Sequence, residues 1–114
     1  MVITIHGTGI DLTDAIKQYA ETKIIMLEKY FAGITKVEID VGMKSRHHQK
    51  GAIYYAEVNL RIPGHDLRVV KEEENLYKAI DKVKDHFKVE LDRIKGKMRD
   101  KDREAIREQK EYQA

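Results

Sequence analysis

The apolar positions along this chain change period three times, and each change marks an element. Val2–His6 is short, with Ile3 and Ile5 alternating against Val2 and Thr4, which is the two-residue period of a strand. Gly7 and Gly9 loosen the chain after it. Thr13 is placed to cap a helix, with Asp14 beside the positive helix end. From there Ile16, Ala20, Ile24, Leu27 and Phe31 recur every three or four residues, with Tyr19 and Tyr30 alongside. That spacing predicts an amphipathic helix, and Gly33 is its natural terminator.

The two-residue period returns in Val37, Ile39 and Val41, set between Lys36, Glu38 and Asp40. Lys44–Gly51 is polar and predicts a loop. A clearer strand follows: Ala52, Tyr54, Ala56, Val58, Leu60 and Ile62 on one face, with Tyr55, Glu57, Asn59 and Arg61 opposite. Pro63-Gly64 predicts a turn into a short fourth strand with Leu67 and Val69 facing inward. A second helix starts near Glu74, where Leu76, Ile80, Val83, Phe87, Leu91, Ile94 and Met98 repeat at helical spacing. The predicted fold is α+β with the order β-α-β-β-β-α: a four-stranded mixed sheet with two helices packed on one face. Residues 1–98 form this domain, and 99–114 are expected to be a charged tail or an extension of the helix.

Composition removes several kinds of chemistry from consideration. A chain of 114 residues with 41% apolar content suits one domain with a modest core. There is no cysteine, which excludes disulfides, thiolate metal sites and cysteine nucleophiles. The apolar runs are far shorter than a membrane span, and the opening residues lack the zones of a signal peptide. A cytoplasmic protein with no membrane partner is the expectation. Five histidines and many carboxylates are present, yet no metal-ligand spacing, phosphate-cradling glycine motif or nucleophile arrangement accompanies them. No enzyme activity and no cofactor are expected.

Charge points instead to binding. The net charge is only +2, but Lys78–Arg99 holds 8 Lys/Arg against 4 Asp/Glu, and residues 44–71 hold 6 against 2. Local excess of this kind attracts phosphates even when the total charge is small. The candidate contacts are Lys23 and Lys29 on the first helix and Lys44, Arg46 and Lys50 in the loop. On the second helix they are Lys78, Lys82, Lys88, Arg93, Lys95 and Lys97. The plainer alternatives are a soluble hairpin connection for the loop and a solvated helix face for the lysines. Absence of a recognition-helix signature or an aromatic strand motif favours contact with a phosphate backbone over base reading.

Several segments carry a resemblance. Ile10-Asp11-Leu12-Thr13-Asp14-Ala15-Ile16-Lys17-Gln18-Tyr19 is followed by Leu27-Glu28-Lys29-Tyr30-Phe31, then by Asn75-Leu76-Tyr77-Lys78-Ala79-Ile80-Asp81 and Leu91-Asp92-Arg93-Ile94-Lys95-Gly96-Lys97. Together, over roughly residues 2–99, they resemble the ribosome hibernation-promoting factor family in its short form, related to the ribosome-associated inhibitor. Asn75 stands where that family usually has an acidic residue, and Val89 and Glu90 where it often has Arg and Gln. The resemblance implies binding to small-subunit ribosomal RNA in the decoding channel, with messenger RNA and transfer RNA sterically excluded. Its implied partner is the small ribosomal subunit, with contacts to ribosomal proteins a further option. The domain that pairs ribosomes in long members lies outside the resemblance, so that activity is not expected. Two other readings remain open, a protein-binding scaffold and an RNA-binding module outside the ribosome. Protection of decoding-region RNA separates both from the first.

Overall fold

The computed structural model describes residues 1–45 and 51–112. Its elements are β1 (Val2–Thr8), α1 (Asp14–Ile25) with a 3-10 turn at Met26–Lys29, β2 (Lys36–Ser45), β3 (Ile53–Ile62), β4 (His65–Glu73) and α2 (Leu76–Tyr112). The strands lie in the order β1-β2-β3-β4. β1 runs parallel to β2, joined by the α1 crossover, while β2, β3 and β4 form an antiparallel meander. Both helices cover one face of this mixed sheet, as the periodicity predicts.

Alternation decides which side chains meet the helices. Val37, Ile39 and Val41 of β2, Ala56, Val58, Leu60 and Ile62 of β3, and Val69 of β4 enter the core. They meet Ala20, Ile24 and Leu27 from the first helical segment and Leu76, Ile80, Val83, Phe87 and Leu91 from α2. Ile3, Ile5, Leu67 and Ile94 close its margins. Burial of these apolar surfaces is the main stabilising term, at about 25 cal/mol per Å² removed from water.

Polar side chains hold both helix starts, Thr13 as its position predicts. Thr13 Oγ1 accepts from the Ile16 N–H at 3.2 Å. Asn75 Oδ1 accepts from the Tyr77 N–H at 2.8 Å, and its carbonyl takes the first helical bond from Ala79 at 3.1 Å. Asn therefore performs the capping that an acidic residue would perform. Replacing Asn75 by Ala is expected to cost about 1 kcal/mol in urea unfolding, with Asn75→Asp near neutral. Equal stability of N75A and the parent protein would show that the cap contributes nothing.

Three boundaries differ from the pattern. The first helix tightens into the 3-10 turn after Ile25, and Phe31 follows that turn; its amide still bonds to the Leu27 carbonyl at 3.1 Å. The fourth strand is as long as its partner requires, reaching Glu73 opposite Tyr54. Lys44, expected in a loop, lies inside β2, because pairing with β3 continues past Met43↔Tyr54 to Ser45↔Ile53 through a register shift. Arg46 and Lys50 lie outside the described residues.

Two glycines serve identifiable geometry. Gly64 has φ of 80° after Pro63, the combination that a type II turn requires between Ile62 and His65. Gly42 leaves room for β1 and Tyr55, since a Cβ there would strike the Thr8 carbonyl and sit 2.8 Å from the Tyr55 ring. No helix among the described residues is long and apolar enough to cross a membrane.

Candidate nucleic-acid interface

The open face of the sheet, opposite the helices, carries charges that largely neutralise one another. Lys36 meets Glu38 at 2.9 Å, Arg61 meets Asp66 at 3.1 Å, Arg68 meets Glu57 at 2.5 Å, and Lys44 meets Glu72 at 2.5 Å. The Lys36 partnership holds the Glu38 carboxyl below its usual range. Asp40 accepts from Thr8 Oγ1 at 3.0 Å and from the Tyr55 hydroxyl at 3.1 Å. Tyr55 is thereby tied down beside the sheet, while Tyr54 packs on the core margin. Lys44 belongs to this compensated face and is separated by the sheet from the helix cations.

On the helix side, position around α2 sorts the candidates. Tyr77, Asp81, Lys84, Lys88 and Lys95 recur at spacings of three, four and seven, so they share the flank nearest α1. Contacts identify that flank. The Tyr19 hydroxyl donates to Asp81 Oδ1 at 2.7 Å, and Lys23 Nζ lies 3.7 Å from the same oxygen. The Tyr19 and Tyr77 rings meet edge to face with centroids 4.8 Å apart. Lys23 sits 5.4 Å from the Tyr19 ring centroid, and Lys88 sits 5.1 Å from that of Tyr30. Aromatic faces and one carboxylate thus hold two lysines along the α1–α2 seam.

The opposite flank of α2 faces β4. Lys82 pairs with Glu73 there, and this contact holds the Glu73 carboxyl below its usual range. Arg93 meets Glu90 at 2.7 Å, and His86 stands 4.0 Å from Glu90. Glu90 therefore does not oppose Lys88. The two residues lie on different flanks, and Glu90 already has Arg93 as its partner. Arg93 and Lys97 line a groove with His65 and Leu67 of β4. Lys78 is exposed near the outermost line of the helix, and Lys29 is exposed on the 3-10 turn.

The candidates therefore fall into separate sets. Lys23 and Lys88 line the α1–α2 seam, with Lys29 near its end, and Lys95 continues the same flank of α2 two turns beyond Lys88. Lys82, Arg93 and Lys97 follow the β4 flank. Two further cations escaped the sequence list. Lys84 precedes Lys88 by one turn and lies 3.3 Å from Asp85, and Lys101 extends the groove of Arg93 and Lys97. Their four-residue spacing from Lys88 and Lys97 is their signal along the chain. Among the described residues, no group of three or more His, Asp or Glu is placed to hold a metal ion.

Tyr19 reports on the seam. Its phenol is pushed up to about 12, first because it donates to Asp81, then through partial burial and the Asp81 charge. The folded state thus keeps this proton when an ordinary tyrosine, at about 10, has lost it. The contribution to stability is complete below pH about 10 and is lost as pH climbs through about 12. A tyrosinate absorbance titration should show a late component that Tyr19→Phe removes. An unchanged titration in Y19F would contradict the Tyr19–Asp81 bond.

Known proteins share this fold. The family model for the sigma 54 modulation protein / S30EA ribosomal protein matches residues 3–99. The chain belongs to this family. It is 31% identical over 97 residues to a ribosome hibernation promoting factor of Azotobacter vinelandii, covering 85% of each chain. It is 30% identical to a ribosome hibernation promotion factor of Lactococcus lactis, where 90% of this chain spans only 54% of the relative. The N-terminal domain of Thermus thermophilus Protein Y superposes with a TM-score of 0.72 at 28% identity, over 82% of this chain and 99% of that domain. The matched region contains β1 to β4 and α2 as far as Arg99, so both helix flanks described above fall within the shared fold.

Proposed function

We propose that this protein is a ribosome hibernation factor that inhibits translation by occupying the small ribosomal subunit. It lies in the decoding channel against ribosomal RNA and sterically excludes messenger RNA and transfer RNA. The observation that carries this reading is the α1–α2 seam, where aromatic rings hold Lys23 and Lys88 and Lys95 continues the same flank of α2, within a family whose relatives are named for ribosome hibernation. Lys88 is held against an aromatic ring rather than neutralised by a carboxylate, so its charge stays available to phosphate. Such a surface follows a phosphate backbone by charge and shape. The action is occupation, with no chemical step.

Competition on purified small subunits tests the mechanism. Increasing protein should displace messenger RNA and initiator transfer RNA and protect decoding-region nucleotides from chemical probes. Simultaneous, unperturbed binding of all three would sink the steric reading. Association should also weaken steeply with salt, because neutralising phosphates releases counterions.

A further inference from the structure

The β4 edge lies on the flank of α2 opposite the α1–α2 seam. We infer that this edge, together with the groove beside it, takes an acidic, extended peptide segment of a partner protein as a fifth strand.

The backbone register shows what the edge offers. Among the described residues, β4 is last in the sheet and pairs only with β3. The Arg61 carbonyl accepts from the Thr35 N–H at 2.9 Å, so the Arg61 backbone faces β2 and that of Leu60 faces β4. Leu60 is opposite Leu67, and backbone direction alternates along a strand. Leu67, Val69 and Lys71 therefore direct their amides and carbonyls inward to β3. Asp66, Arg68, Val70 and Glu72 direct theirs outward, and no backbone bond among the described residues takes them up. A free edge of this kind is a template for another strand.

The surroundings select the strand's chemistry. α2 runs antiparallel to β4, since Lys82 meets Glu73 at one end and His65 and Leu67 share a groove with the later turns of the helix at the other. That groove is about 430 Å³, with Leu67, Ile94 and Met98 supplying apolar surface and Arg93, Lys97 and Lys101 supplying positive charge. Glu90 is the one carboxylate among the described residues that line the groove and is held by Arg93. On the open face, Val70 at the middle of the edge is 43% exposed. An added strand would alternate accordingly: one apolar residue flanked by acids toward α2, and apolar residues beside Val70. RNA fits the edge less well. The outward carbonyls that a peptide N–H would satisfy repel a phosphate.

An acetylated Glu-Thr-Glu-Val-Leu-Val-Glu-Thr-Glu peptide, labelled for fluorescence anisotropy, is the probe. Its leucine and glutamates share one face, and its valines pair with the outward residues of β4. Saturable binding to the full chain is expected, with slowed amide exchange at Arg68, Val70 and Glu72. Lys97→Glu with Lys101→Glu should weaken it roughly tenfold, because both are exposed rim charges. Proline in place of both valines removes the strand donors while keeping every charge, and should weaken binding at least as much. Absence of saturable binding, or equal binding of the proline peptide, would overturn the inference. So would an oligouridine that slows the same three amides, since that would assign the edge to RNA. No ribosome enters these measurements, so their outcome is independent of the hibernation reading.

Discussion

Replacing Lys88 and Lys95 together by Glu is expected to weaken association with purified small subunits about a hundredfold, since on the proposed surface the reversed charges would face phosphate directly. Both lysines are exposed, both lie on the α1 flank, and they are two turns apart, so one phosphate strand can meet both. The slope of affinity against salt should fall by about two, one for each lost phosphate contact. Lys82→Glu is the informative comparison. Lys82 is already matched by Glu73 and lies on the β4 flank, so its reversal should cost much less. If K82E weakens binding as severely as K88E/K95E, the seam is not the RNA surface and the assignment moves to the other flank. Thermal unfolding of each variant separates lost contact from lost structure, because none of the three residues is buried.

Phe87→Ala should destabilise the domain by about 3–5 kcal/mol in urea or thermal unfolding. Phe87 is fully buried in the middle of the α2 stripe and belongs to the single core that joins both helices to the sheet. Truncation removes its transfer energy and leaves a cavity that rigid neighbours fill only in part. Domains of this size have total stabilities of about 5–15 kcal/mol, so the loss is a large fraction. Phe87→Leu, closer in volume and still apolar, should cost less. A loss in F87A no greater than that of an exposed substitution such as Val89→Ala would mean the core packs differently.

The candidate cations were legible residue by residue, and their assembly in space was not. The 3.6-residue period separates Lys82 from Lys88 around one helix axis. It does not say which of them meets α1 and which meets β4. That depends on the side-by-side order of strands beneath the helices. Glu90 shows the consequence. Along the chain it falls among the basic residues of α2, whereas in space it faces away from Lys88 and neutralises Arg93. Lys44 departs from its expected loop for a related reason. A polar strand end and a loop have the same composition, and only pairing with β3 distinguishes them.

By itself the sequence determined the elements, their order, the inward stripe of each, and the cap at Thr13. These follow from period, local hydrogen bonding and burial, all of which act over a few residues. The tertiary structure alone decided that cations distant in sequence share a seam, that the open sheet face is charge-compensated, and that β4 keeps a free edge beside a basic groove. Those features arise from strand register and helix placement, which bring together groups tens of residues apart and have no local signature in the chain.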